Sequence, residues 1–200
     1  MNNEYLRKRF RTTERETPPL IGTLTRRNVI TRNVVAEIFN EFGFTIGAEI
    51  GVYRGEYSQV LLDKNPNLKL YLVDPWFTVE FGDYSNKEKQ RRNFSLTRQN
   101  LVGRNVEYIV KSSHDALTNI PDASLDFVYI DGSHYFDDVM FDLIEWTKKV
   151  RVGGIVSGHD YFHHHNFGVV IAVDMYTRAH GINEVFVTQE YAPSYLWVKS

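Results

Sequence analysis

Four acidic residues stand at or directly after the carboxyl ends of short segments that are rich in apolar and β-branched residues. They are Glu49, Asp74, Asp131 and Asp160. Other polar residues stand at corresponding places, namely Ser113, His114, His134 and His159. A buried carboxylate lowers stability unless it is paired, hydrogen-bonded or bound to a metal. Because four of them fall at equivalent positions, we interpret this set as a functional site.

The turn after the first of these segments is rich in glycine. Glycines stand at positions 47, 51 and 55, which is not the G-x-G-x-x-G spacing of dinucleotide-binding folds. A turn with Gly51 and Gly55 lets backbone N–H groups approach a ligand, although a tight turn alone would also explain the glycines. Asp74 can accept hydrogen bonds from both hydroxyls of a ribose. Together these features predict a nucleoside cofactor.

The elements that must position these residues alternate between strands and helices. We predict strands near residues 45–52, 68–73, 106–110, 125–130, 155–157, 184–188 and 195–199. Strands that alternate with helices form a mostly parallel sheet with helices on both faces. The last two strands are joined by a short turn, so they form an antiparallel hairpin. The prediction is an α/β fold with a seven-stranded sheet, and its ligands bind at the carboxyl ends of the strands.

Length and composition favour one domain. The chain has 200 residues, and we predict a single domain over 27–200 preceded by a basic arm over 1–26. It contains no cysteine, which excludes a disulfide scaffold, a thiolate metal site and a thiol nucleophile. No apolar run approaches 18 residues and no secretory signal is evident, so we predict a cytoplasmic protein without a membrane partner.

The charge is unevenly distributed along the chain. Residues 1–33 carry a charge of +5 and the remainder −7. A basic arm is typical of a nucleic-acid partner, a solvated tail or a contact in a homo-oligomer, and we favour the last two. The acidic body argues against a broad nucleic-acid-binding face.

Four segments carry a resemblance to a known family. They are residues 47–58 (GAEIGVYRGEYS), 71–76 (YLVDPW), 125–134 (LDFVYIDGSH) and 153–161 (GGIVSGHDY). From about residue 43 onward the chain resembles class I S-adenosylmethionine-dependent methyltransferases, and more narrowly the macrocin O-methyltransferase-like small-molecule branch. The resemblance implies a Rossmann-like fold, S-adenosyl-L-methionine as cofactor and a small-molecule hydroxyl, such as that of a sugar or glycosylated metabolite, as acceptor.

The resemblance also implies roles for single residues. Glu49, Gly51 and Gly55 would hold the methionine moiety of the cofactor and Asp74 its ribose. The pair Ser113-His114 would lie near the adenine, and Trp76 either beside the nucleoside or in the core. By the same resemblance, Asp131 would border both the cofactor and a metal ion.

A divalent metal and a base complete the implied site. Asp131 and Asp160 match the metal-binding positions of metal-dependent members, and two carboxylates suit Mg²⁺. His159 stands where some relatives have an acid, which leaves the ligand number and the metal open; Asp160 could instead be a buried cap. His134 is the preferred general base, and His159 is the rival base or an orienting residue. The run 163–165 of three histidines is interpreted as a loop over the substrate entrance.

The sequence gives less support to other functions. A nucleic-acid methyltransferase is supported only by the basic arm, since residues 131–134 read DGSH where base-modifying enzymes usually carry Asn/Asp-Pro-Pro-aromatic. A metal-independent small-molecule methyltransferase also stays open. The glycine spacing disfavours an NAD-dependent oxidoreductase. A non-catalytic binding domain is disfavoured because it would not need a polar group at every strand end.

Overall fold

A computed structural model describes residues 3–11, 20–21, 29–79 and 85–200. The strands are β1 (Leu20–Ile21), β2 (Ile46–Ile50), β3 (Lys69–Val73), β4 (Val106–Ile109), β5 (Leu125–Ile130), β6 (Val150–Gly158), β7 (Phe186–Val187) and β8 (Tyr195–Val198). The helices are α1 (Asn3–Phe10), α2 (Arg32–Glu41), α3 (Glu56–Lys64), α4 (Lys87–Asn100), α5 (Ser113–Ala116), α6 (Phe136–Lys149) and α7 (Val169–Ala179), and a 3₁₀ turn follows α5 at Leu117–Asn119.

The strands form one sheet in the order β1-β7-β8-β6-β5-β2-β3-β4. All neighbouring strands are parallel except β8, which runs antiparallel to both β6 and β7. This confirms the predicted α/β fold with its C-terminal antiparallel hairpin. The two-residue strand β1 joins the seven predicted strands and pairs with β7. A strand this short leaves no periodic pattern, so the sequence did not reveal it.

Helices cover both faces of the sheet, as predicted. On one face, buried side chains of α2 and α3 such as Ile38 and Leu61 pack on the sheet. On the other face, α6 and α7 contribute Leu143, Trp146 and Val173. Helix α6 carries Asp137 and Asp138 in its first turn and Lys148 and Lys149 in its last turn, which suits the helix dipole. Within the described part of the chain, no helix combines the length and the apolar character that a membrane span requires.

The N-terminal helix α1 belongs to the core. Leu6 and Phe10 are fully buried, and the Phe10 ring packs on Phe186 of β7 at a centroid distance of 5.3 Å. Arg7 forms an ion pair with Glu184, and Arg9 pairs with two acids of α2, Glu37 and Glu41. The interpretation as a solvated tail is therefore wrong for residues 3–10, because two apolar side chains one turn apart give α1 a face to bury. The remaining arm residues 12–19 and 22–26 lie outside the described residues, and the division at residue 26 stays a prediction.

Strand β6 begins earlier than the sequence indicated. Helix α6 ends at Lys149, and Gly153 and Gly154 lie inside β6, ahead of the predicted strand 155–157. A Cβ atom on Gly154 would stand 2.4 Å from the carbonyl oxygen of Asp126, at the register shift between β5 and β6. Gly154 therefore serves close strand packing.

Candidate active site

The carboxyl ends of β2, β3, β4, β5 and β6 meet at one edge of the sheet. Because these five strands are parallel and adjacent in the order β6-β5-β2-β3-β4, the residues that follow them share that edge. Glu49 is the second-to-last residue of β2, and Asp74 follows β3. Ser113 is the first residue of α5 after β4, Asp131 follows β5, and Asp160 lies just after β6. The structure thus places the sequence-predicted residues along one edge of the sheet.

The turn between β2 and α3 is fixed by its glycines. Gly51 has a φ of +87°, and a Cβ atom there would stand 2.1 Å from the carbonyl oxygen of Asp131. Gly55 has a φ of +75° and forms the N-cap of α3. Both positions need the left-handed conformation that glycine adopts readily. At Gly47, in contrast, the missing side chain leaves space for the Phe127 ring, so this glycine serves core packing.

Asp74 holds this turn through its carboxylate. Its Oδ2 accepts hydrogen bonds from the backbone N–H groups of Val52 (3.0 Å) and Tyr53 (2.9 Å), and its Oδ1 accepts from Trp76 N–H (2.7 Å). A carboxylate has about four acceptor positions, so roughly one remains for a ligand. The carboxylate is 2% exposed. Binding of both ribose hydroxyls by Asp74 would therefore require the turn to give up a contact, which the sequence did not show.

Two further residues near the turn are buried. Glu49 accepts a hydrogen bond from the Ser58 hydroxyl. Burial raises the pKa of Glu49 to about 8, so this carboxyl is largely neutral at pH 7 in the ligand-free protein. Trp76 belongs to the core: it is fully buried, and its indole N–H donates to the carbonyl of Tyr53 at 3.0 Å.

Two histidines and two carboxylates form a cluster after β5 and β6. His134 Nε2 lies 2.8 Å from Asp160 Oδ2. His159 Nδ1 lies 3.6 Å from Asp131 Oδ1 and 3.4 Å from Asp160 Oδ1. The sequence-predicted pairs are therefore brought together at this end of the edge.

The cluster changes the protonation of its members. The hydrogen bond to Asp160 raises the pKa of His134, and partial burial opposes it. Burial alone would lower the pKa of His159, but its contacts with the carboxylates of Asp131 and Asp160 raise it to about 9. His159 is consequently protonated at neutral pH, which suits a hydrogen-bond donor better than a base. The two histidines in turn hold the pKa of Asp160 below its usual range, against the effect of its burial.

The donor atoms of this cluster fit a divalent cation. One donor atom each of Asp131, His134 and Asp160 lie within 4.8 Å of one another. Carboxylate oxygens suit Mg²⁺ or Mn²⁺, while an imidazole nitrogen would favour a transition metal. A cation could supply the positive charge that protonated His159 now provides to the carboxylates.

The loop after β4 reaches α6. The imidazole of His114 stacks on the Phe141 ring at 3.4 Å between centroids, and it is exposed. Ser113 donates toward Asp142, a buried acid of α6 that the sequence analysis missed. Burial raises the pKa of Asp142 to about 7, and the Ser113 hydrogen bond opposes this. The available signal was an acid on the apolar stripe of α6, four residues before Trp146.

Aromatic side chains surround the exposed side of His134. The Phe167 ring lies 4.4 Å from the His134 ring, and Phe162 packs on Phe167 at 5.7 Å. Tyr191 lies 5.9 Å from Phe162 and is 90% exposed. The histidine run 163–165 is exposed in the same loop. The arrangement offers an apolar, stackable surface beside the imidazole.

A positively charged side chain that the sequence analysis also missed reaches the same edge of the sheet. Arg32, the first residue of α2, has its Nη1 3.9 Å from Asp131 Oδ2. Since it lies about 100 residues from Asp131, no local pattern could have indicated this proximity.

A strand order of this kind, with the antiparallel strand β8 inserted between β6 and β7, defines a class I methyltransferase fold. A family profile described as "Methyltransferase domain" matches residues 48–161. The chain belongs to this methyltransferase-domain family, which confirms the resemblance found in the sequence. The macrocin-like branch stays a prediction.

Relatives by sequence have no stated activity. A 100-residue stretch, half of this chain, is 30% identical to uncharacterized protein y4gI of Sinorhizobium fredii, of which it covers 11%. A 118-residue stretch, 56% of this chain, is 28% identical to uncharacterized protein R132 of Acanthamoeba polyphaga mimivirus, of which it covers 50%. The chain therefore spans half or less of the curated relatives that it matches.

Solved structures share the fold. The O-methyltransferase NovP superposes with a TM-score of 0.61 at 20% identity, over 84% of this chain and 77% of NovP. The O-methyltransferase TomG from Streptomyces achromogenes, in complex with SAM, gives 0.58 at 18% identity, over 84% and 79%. An O-methyltransferase from Bacillus cereus in complex with SAH gives 0.61 at 15% identity, over 88% and 84%.

Proposed function

We propose that the protein is an S-adenosylmethionine-dependent O-methyltransferase that acts on a hydroxyl group of a small molecule. The observation that carries this proposal is the cluster of Asp131, His134, His159 and Asp160, which lies on the edge where the glycine turn ends. Solved relatives of the same fold were named as O-methyltransferases, and two of them hold SAM or SAH.

The cofactor would lie over the glycine turn. Gly51 and Gly55 have no side chains to keep a ligand from the backbone there, although their own N–H groups donate to the carbonyls of Val73 and Val52. Buried Glu49 would face the amino-acid end of the cofactor. Asp74 would order the turn and offer its remaining acceptor position to the ribose. The loop with Ser113 and His114 would border the adenine. When bound, S-adenosylmethionine supplies an electrophilic methyl group on its sulfonium.

His134 would accept the proton of the acceptor hydroxyl as that oxygen attacks the methyl carbon. In this transfer the oxygen–carbon bond would form as the carbon–sulfur bond breaks, and the electron pair of the broken bond would stay on the sulfur of the product S-adenosylhomocysteine. An alcohol ionises little at pH 7, so a positioned base is needed. His159 would orient Asp131 and Asp160, since its raised pKa keeps it protonated. The surface formed by Phe162, Phe167 and Tyr191 would bind the apolar face of an aromatic compound or a sugar.

We further propose that Asp131 and Asp160 hold a divalent cation, Mg²⁺ being our first choice. Such an ion would lower the pKa of a hydroxyl bound to it. His134 has its nitrogen within reach of the same point, so it serves either as a ligand or as a base but not as both at once. Excess EDTA should abolish turnover if the ion is required, and full activity in EDTA would leave the metal-independent alternative.

The basic groups of α1 weaken the nucleic-acid alternative. Arg7 and Arg9 form ion pairs with Glu184 and Glu37, so these charges are partly neutralised within the protein. A small-molecule acceptor is therefore favoured. A cytoplasmic location and a homo-oligomeric state stay predictions.

The test is a methyl-transfer assay combined with calorimetry. The wild-type protein should bind S-adenosylhomocysteine and methylate members of a panel of phenols, catechols and sugars. His134→Gln should lower kcat about 10²- to 10⁴-fold, the usual contribution of a general base, while the Kd for S-adenosylhomocysteine changes little. His180→Gln is the matched control, because His180 packs on Tyr176 at the end of α7. Lack of binding of S-adenosylhomocysteine by the wild type would refute the proposed function.

A further inference from the structure

An acidic edge poses a problem for an amino-acid ligand. S-adenosylmethionine carries a carboxylate at its methionine end, and the carboxylates of Asp131 and Asp160 lie along the edge that would receive it. Like charges repel, most strongly where the site is shielded from water. A carboxylate can bind there only beside a cation or a group of N–H donors.

Arg32 places a permanent positive charge at this edge. Its Nη1 lies 3.9 Å from Asp131 Oδ2, and its side chain is 36% exposed. Its charge also reaches Glu49, where it opposes the effect of burial on the pKa of that carboxyl. The guanidinium thus acts electrostatically on both Asp131 and Glu49, the acids that we place at the methionine end of the proposed cofactor site.

The position of Arg32 is fixed from several sides. Its backbone N–H donates to both carboxylate oxygens of Glu190, at 2.8 and 2.7 Å, and its carbonyl accepts from the Tyr57 hydroxyl at 2.9 Å. Its guanidinium lies over the Tyr57 ring, 4.9 Å from the centroid. Tyr57 is buried and stands in the first turn of α3, directly after the glycine turn. The cation is therefore oriented before any ligand arrives, which reduces the entropy lost on binding.

The hydrogen-bond donors of Arg32 remain available. A separation of 3.9 Å from Asp131 is too long for a hydrogen bond, and the guanidinium makes none with the residues that the structure describes. The neighbouring Arg54 is engaged instead, since its Nε donates to Asn93 Oδ1 at 3.1 Å. A guanidinium with free N–H groups matches a carboxylate in a bidentate manner.

We propose that Arg32 binds the α-carboxylate of the cofactor's methionine moiety. The inference rests on the proposed function and adds a binding residue from α2, outside the segment 48–161 that matches the family. It also gives the first residue of α2 a role in the site.

Calorimetry with two ligands tests this assignment. S-adenosylhomocysteine carries the carboxylate, whereas 5′-methylthioadenosine keeps the nucleoside and the thioether but lacks the amino-acid group. Arg32→Gln should weaken binding of S-adenosylhomocysteine at least tenfold and change the Kd for 5′-methylthioadenosine less than twofold. Arg32→Lys keeps the charge without the planar fork and should give an intermediate loss.

Arg151→Gln is the matched control. Arg151 also pairs with an acid, Asp126, and also lies over an aromatic ring, that of Phe44, but at the opposite end of the sheet. It should leave both Kd values unchanged. An equal loss for both ligands in Arg32→Gln, or no loss for S-adenosylhomocysteine, would overturn the assignment. A wild-type protein that binds neither ligand would instead remove the proposed function, and the assignment with it.

Discussion

Replacing Asp74 by asparagine should both destabilise the protein and weaken cofactor binding. Asparagine has one acceptor oxygen. If this oxygen keeps the hydrogen bonds from Val52 and Tyr53, the new NH₂ group faces the N–H of Trp76, which loses its 2.7 Å bond. A buried donor without a partner costs about 1–3 kcal/mol, and the two remaining bonds lose the assistance of the charge. We expect the free energy of unfolding to fall by about 2–4 kcal/mol.

The size of this effect can be measured by thermal unfolding. For a chain of this length, a loss of about 2–4 kcal/mol lowers Tm by roughly 4–16 °C. The disordered turn should also raise the Kd for S-adenosylhomocysteine about tenfold, because the N–H groups of Val52 and Tyr53 are held by the same carboxylate. Calorimetry well below the lowered Tm separates this loss from unfolding.

Asp126 provides an internal control. Its Oδ2 accepts from the N–H groups of Thr45 (2.7 Å) and Ile46 (3.0 Å), and its Oδ1 accepts from Arg151 Nε (2.7 Å), which is the same pattern at the amino ends of the strands. Asp126→Asn should lower Tm without changing the Kd. The reasoning is refuted if Asp74→Asn leaves the Kd unchanged, or if Asp126→Asn weakens binding equally.

Two further predictions concern stability. Asp142→Asn should stabilise the protein more at pH 8 than at pH 5, as measured by urea unfolding. The pKa of Asp142 is about 7 in the folded protein and 3.8 in the unfolded chain, so the wild type loses stability as the pH rises from 3.8 to 7, whereas asparagine does not ionise. An equal gain at both pH values would contradict the burial argument. Leu6→Ala should cost about 2–5 kcal/mol because Leu6 is fully buried, whereas Val102→Ala, at a residue that is 78% exposed, should change stability by less than about 0.5 kcal/mol. Similar small effects of both substitutions would mean that α1 detaches in solution.

The sheet and its edge could be predicted because their signals are local. A parallel strand leaves a compact apolar run, as at residues 125–130, and the residue that follows it must lie at the carboxyl edge. Asp131 and Asp160 could thus be assigned to one edge before any contact was known. The pairing of His134 with Asp160 follows from the same topology, since β5 and β6 are neighbours.

The rest depended on contacts between distant segments. Arg32 approaches Asp131 only because α2 packs beside the sheet, and no pattern in the sequence predicts that these two residues are close. Asp74 shows the same limit at short range. Its type and position indicated a ligand contact, but only the structure shows that three backbone N–H groups already occupy its carboxylate. The type of a residue predicts what it can bind but not which partner it has.

The docking of α1 affects how the N-terminus should be handled in the laboratory. Removing residues 1–18 to eliminate positive charge would also strip Leu6 and Phe10 from the interior and expose apolar surface beside β7. A truncated protein that aggregates would then imitate a loss of function that has nothing to do with charge. Positive charge is better removed by single substitutions of arginines outside α1, such as Arg15, Arg26 or Arg27, which keep Leu6 and Phe10 in the chain.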